Sequence, residues 1–352
     1  MSRGKRSRKA TSAQTRSATH TMPNPNYLRI ITCNLQWGTP AEGWPDIQKA
    51  NSRTGAFIRG LWERCRSLFK SGSVNTRTQL TEENLRQTAL VLKRLKPDIL
   101  ALQEVDKGQR RSGYLHQARI LAQSLHLPYW RIGASYAGQS QVLHRRPLDS
   151  ELKAESGYGI ALLSRWPVKS WHFKRLGRVR ARIVWGSDPW KGFSHGFLEG
   201  LRDLPDAAKG TGIRFGQMRV LLAARLATPL GTVALGTTHL EIHRPTAASQ
   251  LRRAWRSLYH LRSESCLLVG DFNLRDHHID KVLQPLPAEQ HPELHAAIPS
   301  YPADKPWIAL DQLLGNGWEL VGEPRALRLP ISDHRAVIYD LRPVKACLLY
   351  TS

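Results

Sequence analysis

Two polar side chains close an apolar run: after Cys266–Val269 and Gly270 come Asp271 and Asn273. Residues two apart on an extended segment share a face, so this carboxylate and amide can address one pocket. Gly, Asp and Asn are also ordinary turn residues, and this stretch alone reads equally well as a strand-to-loop turn. The same pattern recurs elsewhere, however. Glu104 follows the apolar run that begins after Pro97, and His239 follows the run from Gly231. Asn34 ends the run from Leu28, and Asp333 and His334 stand just before the run Ala336–Tyr339. Glu104 is a hard oxygen ligand suited to Mg²⁺ or Mn²⁺, which bind through few carboxylates, several waters and a substrate's own phosphate. A phosphodiester repels nucleophiles with its anionic oxygens, and further charge builds in the transition state, so something cationic must neutralise it. The chemistry these groups permit is hydrolysis of a phosphate ester.

In chain order the groups read Asn, Glu, His, Asp-x-Asn, Asp-His, and this set resembles the endonuclease/exonuclease/phosphatase superfamily of DNase I-like phosphoesterases. The resemblance spans about Tyr27 to Leu341. Each motif is short, and the signal lies in five of them standing in the family's order. The resemblance implies an α+β fold, a two-layer β-sandwich flanked by helices, in four layers α/β/β/α. It also implies roles. Asn34 and Glu104 would help place a Mg²⁺ or Mn²⁺ ion, with Asp333 completing the ligand sphere. Asp271 would orient and deprotonate the attacking water, and Asn273 would hydrogen-bond the nucleophile or a phosphate oxygen. Asp311, in the apolar element Trp307–Asp311, would orient His334, which would stabilise the phosphorane as imidazolium. His239 would contact the scissile phosphate or assist the leaving group. The family's acidic residue two positions past the Asn is Gln36 here, which leaves that strand without a second carboxylate and points away from the abasic-site branch. Glu241 and His243 alternate with His239 as metal ligands on a strand would, but the family does not use that spacing.

Several elements must position these groups. Thr81 reads as the cap of a helix with Glu82 and Glu83 in its first turn and Leu85, Ala89, Leu92 and Leu95 facing inward, stopped by Pro97. Tyr114–His126 and Ala247–Leu261 read as further helices, Tyr129–Ile132 and Gly159–Leu163 as strands, and Arg219–Ala227 with Gly231–Thr238 as a hairpin. Ser164–Pro167 looks like the family's Ser-Arg-x-Pro turn, where Arg165 is structural. Insertions are expected near 36–80 and 171–217. Within the first, Gly55–Lys70 has the apolar stripe of an amphipathic helix, packed on the surface or touching a membrane or a phosphate backbone. Within the second, Arg178, Arg180 and Arg182 alternate with Val179, Ala181 and Ile183, as on a strand with one basic side, and Trp185 follows. Interleaved cations and rings suit a flexible phosphate chain, and a charged, solvated edge strand is the alternative.

The 352 residues carry a formal charge of +24, which favours an anionic partner, nucleic acid or an acidic membrane surface. Six of those charges lie in the acid-free start, where residues 1–25 read as a disordered basic tail. Residues 26–345 read as one catalytic domain. Cys347–Ser352 matches a translated library adapter, so 346–352 are set aside as non-native. The four cysteines lack metal spacing, and Cys33 and Cys266 fall in predicted core strands, which suggests reduced thiols and a cytoplasmic protein. No run is long enough to span a bilayer, and a monomer is expected. The basic body favours a Mg²⁺-dependent nuclease acting on DNA or RNA. The alternative is a sphingomyelinase-like or inositol phosphatase-like phosphoesterase acting on a lipid headgroup or small metabolite.

Overall fold

Alternation along the strands dictates the layering. In the strand Ile99–Lys107, Ile99 and Ala101 point one way and Leu100 and Leu102 the other, and all four are buried. A strand apolar on both faces must be covered on both, so it belongs inside a layered structure. The computed structural model describes residues 26–42, 76–139, 155–179, 182–185, 211–214, 217–261 and 265–344.

In chain order these comprise β1 (Leu28–Asn34), α1 (Thr76–Leu95), β2 (Ile99–Lys107), α2 (Gln117–Leu125), β3 (Tyr129–Ala137), β4 (Gly157–Ser164) and β5 (Val168–Gly177). There follow β6 (Arg182–Trp185), β7 (Thr211–Arg214), β8 (Arg219–Thr228), β9 (Gly231–His239), α3 (Arg244–Tyr259) and β10 (Cys266–Asp271). The last are α4 (Ile279–Leu283), β11 (Leu294–Ala297), β12 (Asp311–Asn316), β13 (Trp318–Leu320), β14 (Arg325–Leu327) and β15 (Ala336–Pro343). A seven-stranded sheet runs β13-β15-β1-β2-β4-β3, with β14 also on β15, and a six-stranded sheet runs β11-β12-β10-β9-β8-β5.

The sheets pack face to face through Ile30, Ile99, Ile160 and Tyr339 of one and Leu222, Leu235, Val269 and Leu313 of the other. Leu85 and Leu92 of α1 and Leu121 of α2 cover the outer face of the first sheet against Ile31, Leu100 and Leu163. Leu251, Trp255 and Leu258 of α3 cover the second against Leu221, Leu268 and Leu314. Each fully buried Leu or Ile contributes about 2 kcal/mol of transfer free energy, so this four-layer core is the main source of stability. The architecture is the expected α+β sandwich.

Details differ from the sequence reading where a local signal misled. The first helix begins at Thr76, so Thr81 is a buried interior residue and not a cap; nothing in Thr76–Leu80 breaks a helix. The second begins at Gln117, because Gly113 and Tyr114 take left-handed φ values of 70° and 60° and His116 caps it by accepting from the Arg119 N–H. β3 continues to Ala137, and α3 starts at Arg244. Arg178 does not lie on a strand: Gly177, at φ 98°, ends β5 before it, while Arg182 and Trp185 belong to β6, which pairs with β7 in a separate two-stranded ribbon. Trp171 and Phe173 pack on the core from β5. Arg165 lies 3.3 Å from Asp98 and donates to the Pro97 carbonyl at 3.2 Å, tying the end of β4 to the start of β2. Cys33 and Cys266 are buried free thiols. The predicted Gly55–Lys70 helix, the tail 1–25 and residues 346–352 lie outside the described residues.

Candidate active site

Strand direction gathers the polar ends. β1 runs parallel to β2, and β9 parallel to β10, so Asn34, Glu104, His239 and Asp271 all emerge at one edge of the sandwich. In the six-stranded sheet, Asp311, Asp271 and His239 are directly paired across β12, β10 and β9. In the seven-stranded sheet β15 is antiparallel to β1, with Val337 opposite Thr32, so Asp333 and His334 arrive at the same edge.

The apolar interface ends beneath them in a polar rung. Thr32 Oγ1 donates to Gln103 Oε1 at 3.2 Å, and Gln103 Nε2 donates to Thr237 Oγ1 at 3.0 Å, bridging the two sheets with buried side chains. This satisfied network makes the floor on which the site stands.

Backbone strain aims two of the groups. β2 bulges between Leu102 and Val105, and Glu104 there has φ 53°. By strict alternation Glu104 would join Leu100 and Leu102 on the helix-covered face, but Val105 takes that place instead. The bulge re-aims the carboxylate into the site. Asn273 has φ 49°, and its N–H donates to Asp271 Oδ1 at 3.0 Å while its amide donates to the Leu240 carbonyl at 2.9 Å. Gly270 lets β10 approach β9 closely, since a Cβ there would run into the Thr238 carbonyl.

Asp271 is the centre of the site. Asn34 Nδ2 donates to Asp271 Oδ2 at 3.1 Å, His239 Nε2 lies 3.5 Å from that oxygen, and His334 Nε2 lies 3.9 Å away. His334 Nδ1 is 2.8 Å from Asp311 Oδ2, which also accepts from Ser300 Oγ at 2.7 Å. Glu104 Oε1 faces His239 Nδ1 at 4.0 Å. Asn34, Asp271, Asp311, His239 and His334 are all buried, whereas Glu104, Asn273 and Asp333 are partly exposed.

The electrostatics follow from burial and neighbours. Burial and the Asp333 carboxylate raise the Glu104 pKa to about 7, against the pull of Arg219. Burial raises Asp271 to about 6, and His334 holds it from going higher. For His334, burial disfavours the cation, but the Asp311 and Asp271 carboxylates outweigh it and raise the pKa to about 10. Burial, then Arg219 and His334, lower His239, which is a neutral imidazole.

One cluster of ligand atoms has the spacing of a metal site, and two further carboxylates face each other electrostatically nearby. Asp271, Asp311 and His334 have ligand atoms within 4.8 Å of one another, a spacing that a metal could bridge. Asp311 Oδ2, however, is already engaged by His334 and Ser300. Glu104 and Asp333 repel one another, and neither carboxylate accepts a hydrogen bond among the described residues. A hard all-oxygen pair of this kind fits Mg²⁺ or Mn²⁺. Asn34, opposite Gln103 on the neighbouring strand, has an Oδ1 that accepts from the Gln36 N–H at 3.0 Å, which leaves one lone pair.

Of the residues singled out from sequence, eight meet at this edge: Asn34, Glu104, His239, Asp271, Asn273, Asp311, Asp333 and His334. Arg178 is exposed beyond β5, Arg180 lies outside the described residues, and Arg182 and Trp185 sit in the separate ribbon. Sequence reasoning missed Gln103, Ser300, Tyr301 and Arg219. Tyr301 holds its ring 4.9 Å from that of His334, and the buried Arg219, 3.8 Å from Glu241, supplies positive charge to the Glu104 side. Neither has a signal in its own neighbourhood of the sequence.

A model of the Endonuclease/Exonuclease/phosphatase family matches residues 32–334. No curated protein matches the chain. Among solved structures, a Bacteroides vulgatus protein of that family aligns over 90% of this chain and 99% of its own, with 13% identity and a TM-score of 0.52. One from Bacteroides thetaiotaomicron aligns over 91% and 98%, with 14% identity and a TM-score of 0.51. At these identities the likeness is one of fold.

Proposed function

Because the chain belongs to the endonuclease/exonuclease/phosphatase family, we propose that it is a metal-dependent hydrolase of phosphodiester bonds, a Mg²⁺-dependent nuclease acting on DNA or RNA. The observation that carries this reading is the convergence of Asn34, His239 and His334 on Asp271 Oδ2.

Glu104 and Asp333, with Asn34, would hold the ion. When bound, Mg²⁺ supplies positive charge to the phosphate oxygens and the leaving oxygen. Asp271, with its pKa about 6, is ionised at neutral pH yet basic enough to take a proton from water. The Asn273 N–H fixes one Asp271 oxygen and the Asn34 amide engages the other, so the carboxylate cannot rotate away from the attack line. His334 is an imidazolium: Asp311 holds its Nδ1, and Nε2–H points toward Asp271, where the phosphoryl oxygens would gather charge. Neutral His239 is placed to hydrogen-bond the scissile phosphate without adding charge.

The formal charge of +24 supports a polyanionic substrate over a small neutral headgroup. The test is hydrolysis of supercoiled plasmid, single-stranded DNA, RNA, a bis-aryl phosphodiester and sphingomyelin, each with Mg²⁺ and with EDTA. EDTA-sensitive cleavage of a polynucleotide is the expected result. Turnover of sphingomyelin or the small ester alone would move the function to the phosphoesterase reading.

A further inference from the structure

The rim of the site carries an exposed ring and cation that the chemistry above does not use. Trp307 is 64% exposed, four residues before Asp311, and the Arg275 guanidinium lies 5.5 Å from its ring centroid. Arg275 is exposed two residues past Asn273 and makes no ion pair among the described residues; the neighbouring Asp276 faces His277 instead, at 3.4 Å. A single exposed indole is ordinary on a protein surface; what sets Trp307 apart is the Arg275 guanidinium over its ring, a pairing of aromatic face and cation that suits a base and its phosphate.

The two segments are held rigidly. Buried Gln312 donates to both the Leu274 and Ala309 carbonyls, and the Phe272 N–H donates to the Leu310 carbonyl at 2.9 Å. The Trp307 and Ile308 N–H groups both donate to the Tyr301 carbonyl at 3.0 Å. Arg335 pins the intervening loop through the Ala303 and Asp304 carbonyls. Tyr301 therefore links the two ends: its ring lies 4.9 Å from that of His334, its carbonyl anchors the Trp307 N–H, and Arg275 caps the Trp307 ring.

We propose that Tyr301, Trp307 and Arg275 form a subsite for a single-stranded polynucleotide, in which a base next to the scissile phosphate stacks on Trp307 and the adjoining phosphate pairs with Arg275. This rests on the nuclease reading and adds the strand form and the place where it lies. Stacking on an open aromatic face is tolerant of sequence and strengthened by a nearby Arg, and a duplex would keep its bases inside the helix.

The experiment measures binding of the full-length protein, in EDTA, to a fluorescein-labelled dT12 and to an abasic oligonucleotide of equal charge, alongside hydrolysis of dT12 in Mg²⁺. Trp307→Ala is expected to weaken dT12 binding about tenfold or more, with little effect on the abasic strand. Trp307→Phe should recover most of the loss, and Arg275→Ala should weaken both ligands. Equal losses on both ligands for Trp307→Ala, unchanged dT12 affinity, or a wild type that fails to bind dT12 would each overturn the subsite. Binding that depends on Trp307 without any hydrolysis would leave the subsite standing and remove the nuclease reading.

Discussion

His334 Nδ1 lies 2.8 Å from Asp311 Oδ2, and both side chains are buried. The pair carries its own pH signature. His334 has a folded-state pKa of about 10, above the unfolded value near 6.5. It therefore contributes stability that is complete below the unfolded pKa and is lost as pH rises through the folded one. Asp311→Asn removes the largest part of that contribution and leaves the part due to Asp271 and Asp333. Urea melts should show the wild type losing more stability than the variant between pH 7 and pH 10, and kcat should fall by about 10² in the variant. Parallel pH profiles for both proteins would count against the pairing.

The Glu104 carboxylate, with its pKa of about 7, must lose its proton to hold a cation. Calorimetric titration of Mn²⁺ should therefore show affinity rising from pH 6 to about pH 7 and levelling above it, with proton release only on the acid side. The same raised pKa means that this carboxylate costs the fold stability as pH rises toward 7, so metal should raise Tm more at pH 8 than at pH 6. Glu104→Gln should weaken binding at least about tenfold and flatten its pH dependence.

Arg219 pulls the Glu104 pKa down and also disfavours the His239 cation. Arg219→Met should move the midpoint of the Mn²⁺ titration to higher pH. A midpoint that stays in place would show that the guanidinium does not act on Glu104.

Gly270→Ala pushes a Cβ into the Thr238 carbonyl and forces β10 away from β9. A stability loss of about 2–3 kcal/mol is expected, with activity falling as well because Asp271 and His239 are paired neighbours on those strands. Retained stability in urea melts would contradict the close-approach argument.

Much of this arrangement was legible because local signals carried it. Apolar runs on both faces, as in Ile99–Leu102, announced buried strands, and their polar ends announced the edge at which they meet. Asn34 and Asp271 stand at such ends, whereas Asp311, which opens β12, is legible only through the family's motif order. Glu104 needed more: its place is decided by a bulge that reverses alternation, and nothing in Leu102–Val105 marks the bulge. Arg178 misled for the opposite reason, since alternation with Val179 suggested a strand that Gly177 had already ended. Gln103, Ser300 and Arg219 stayed hidden because their partners Thr237, Asp311 and Glu241 come only from tertiary packing.

The most direct test of the account is single-turnover cleavage of an oligonucleotide in Mg²⁺ by the wild type and by Asp271→Ala, with affinity for the same strand measured in EDTA. A rate at least about 10³ lower in the variant, with affinity within about threefold, is the predicted result. A variant that cleaves within tenfold of the wild type would contradict Asp271 as the group that activates water, and with it the reading of the site built around that residue.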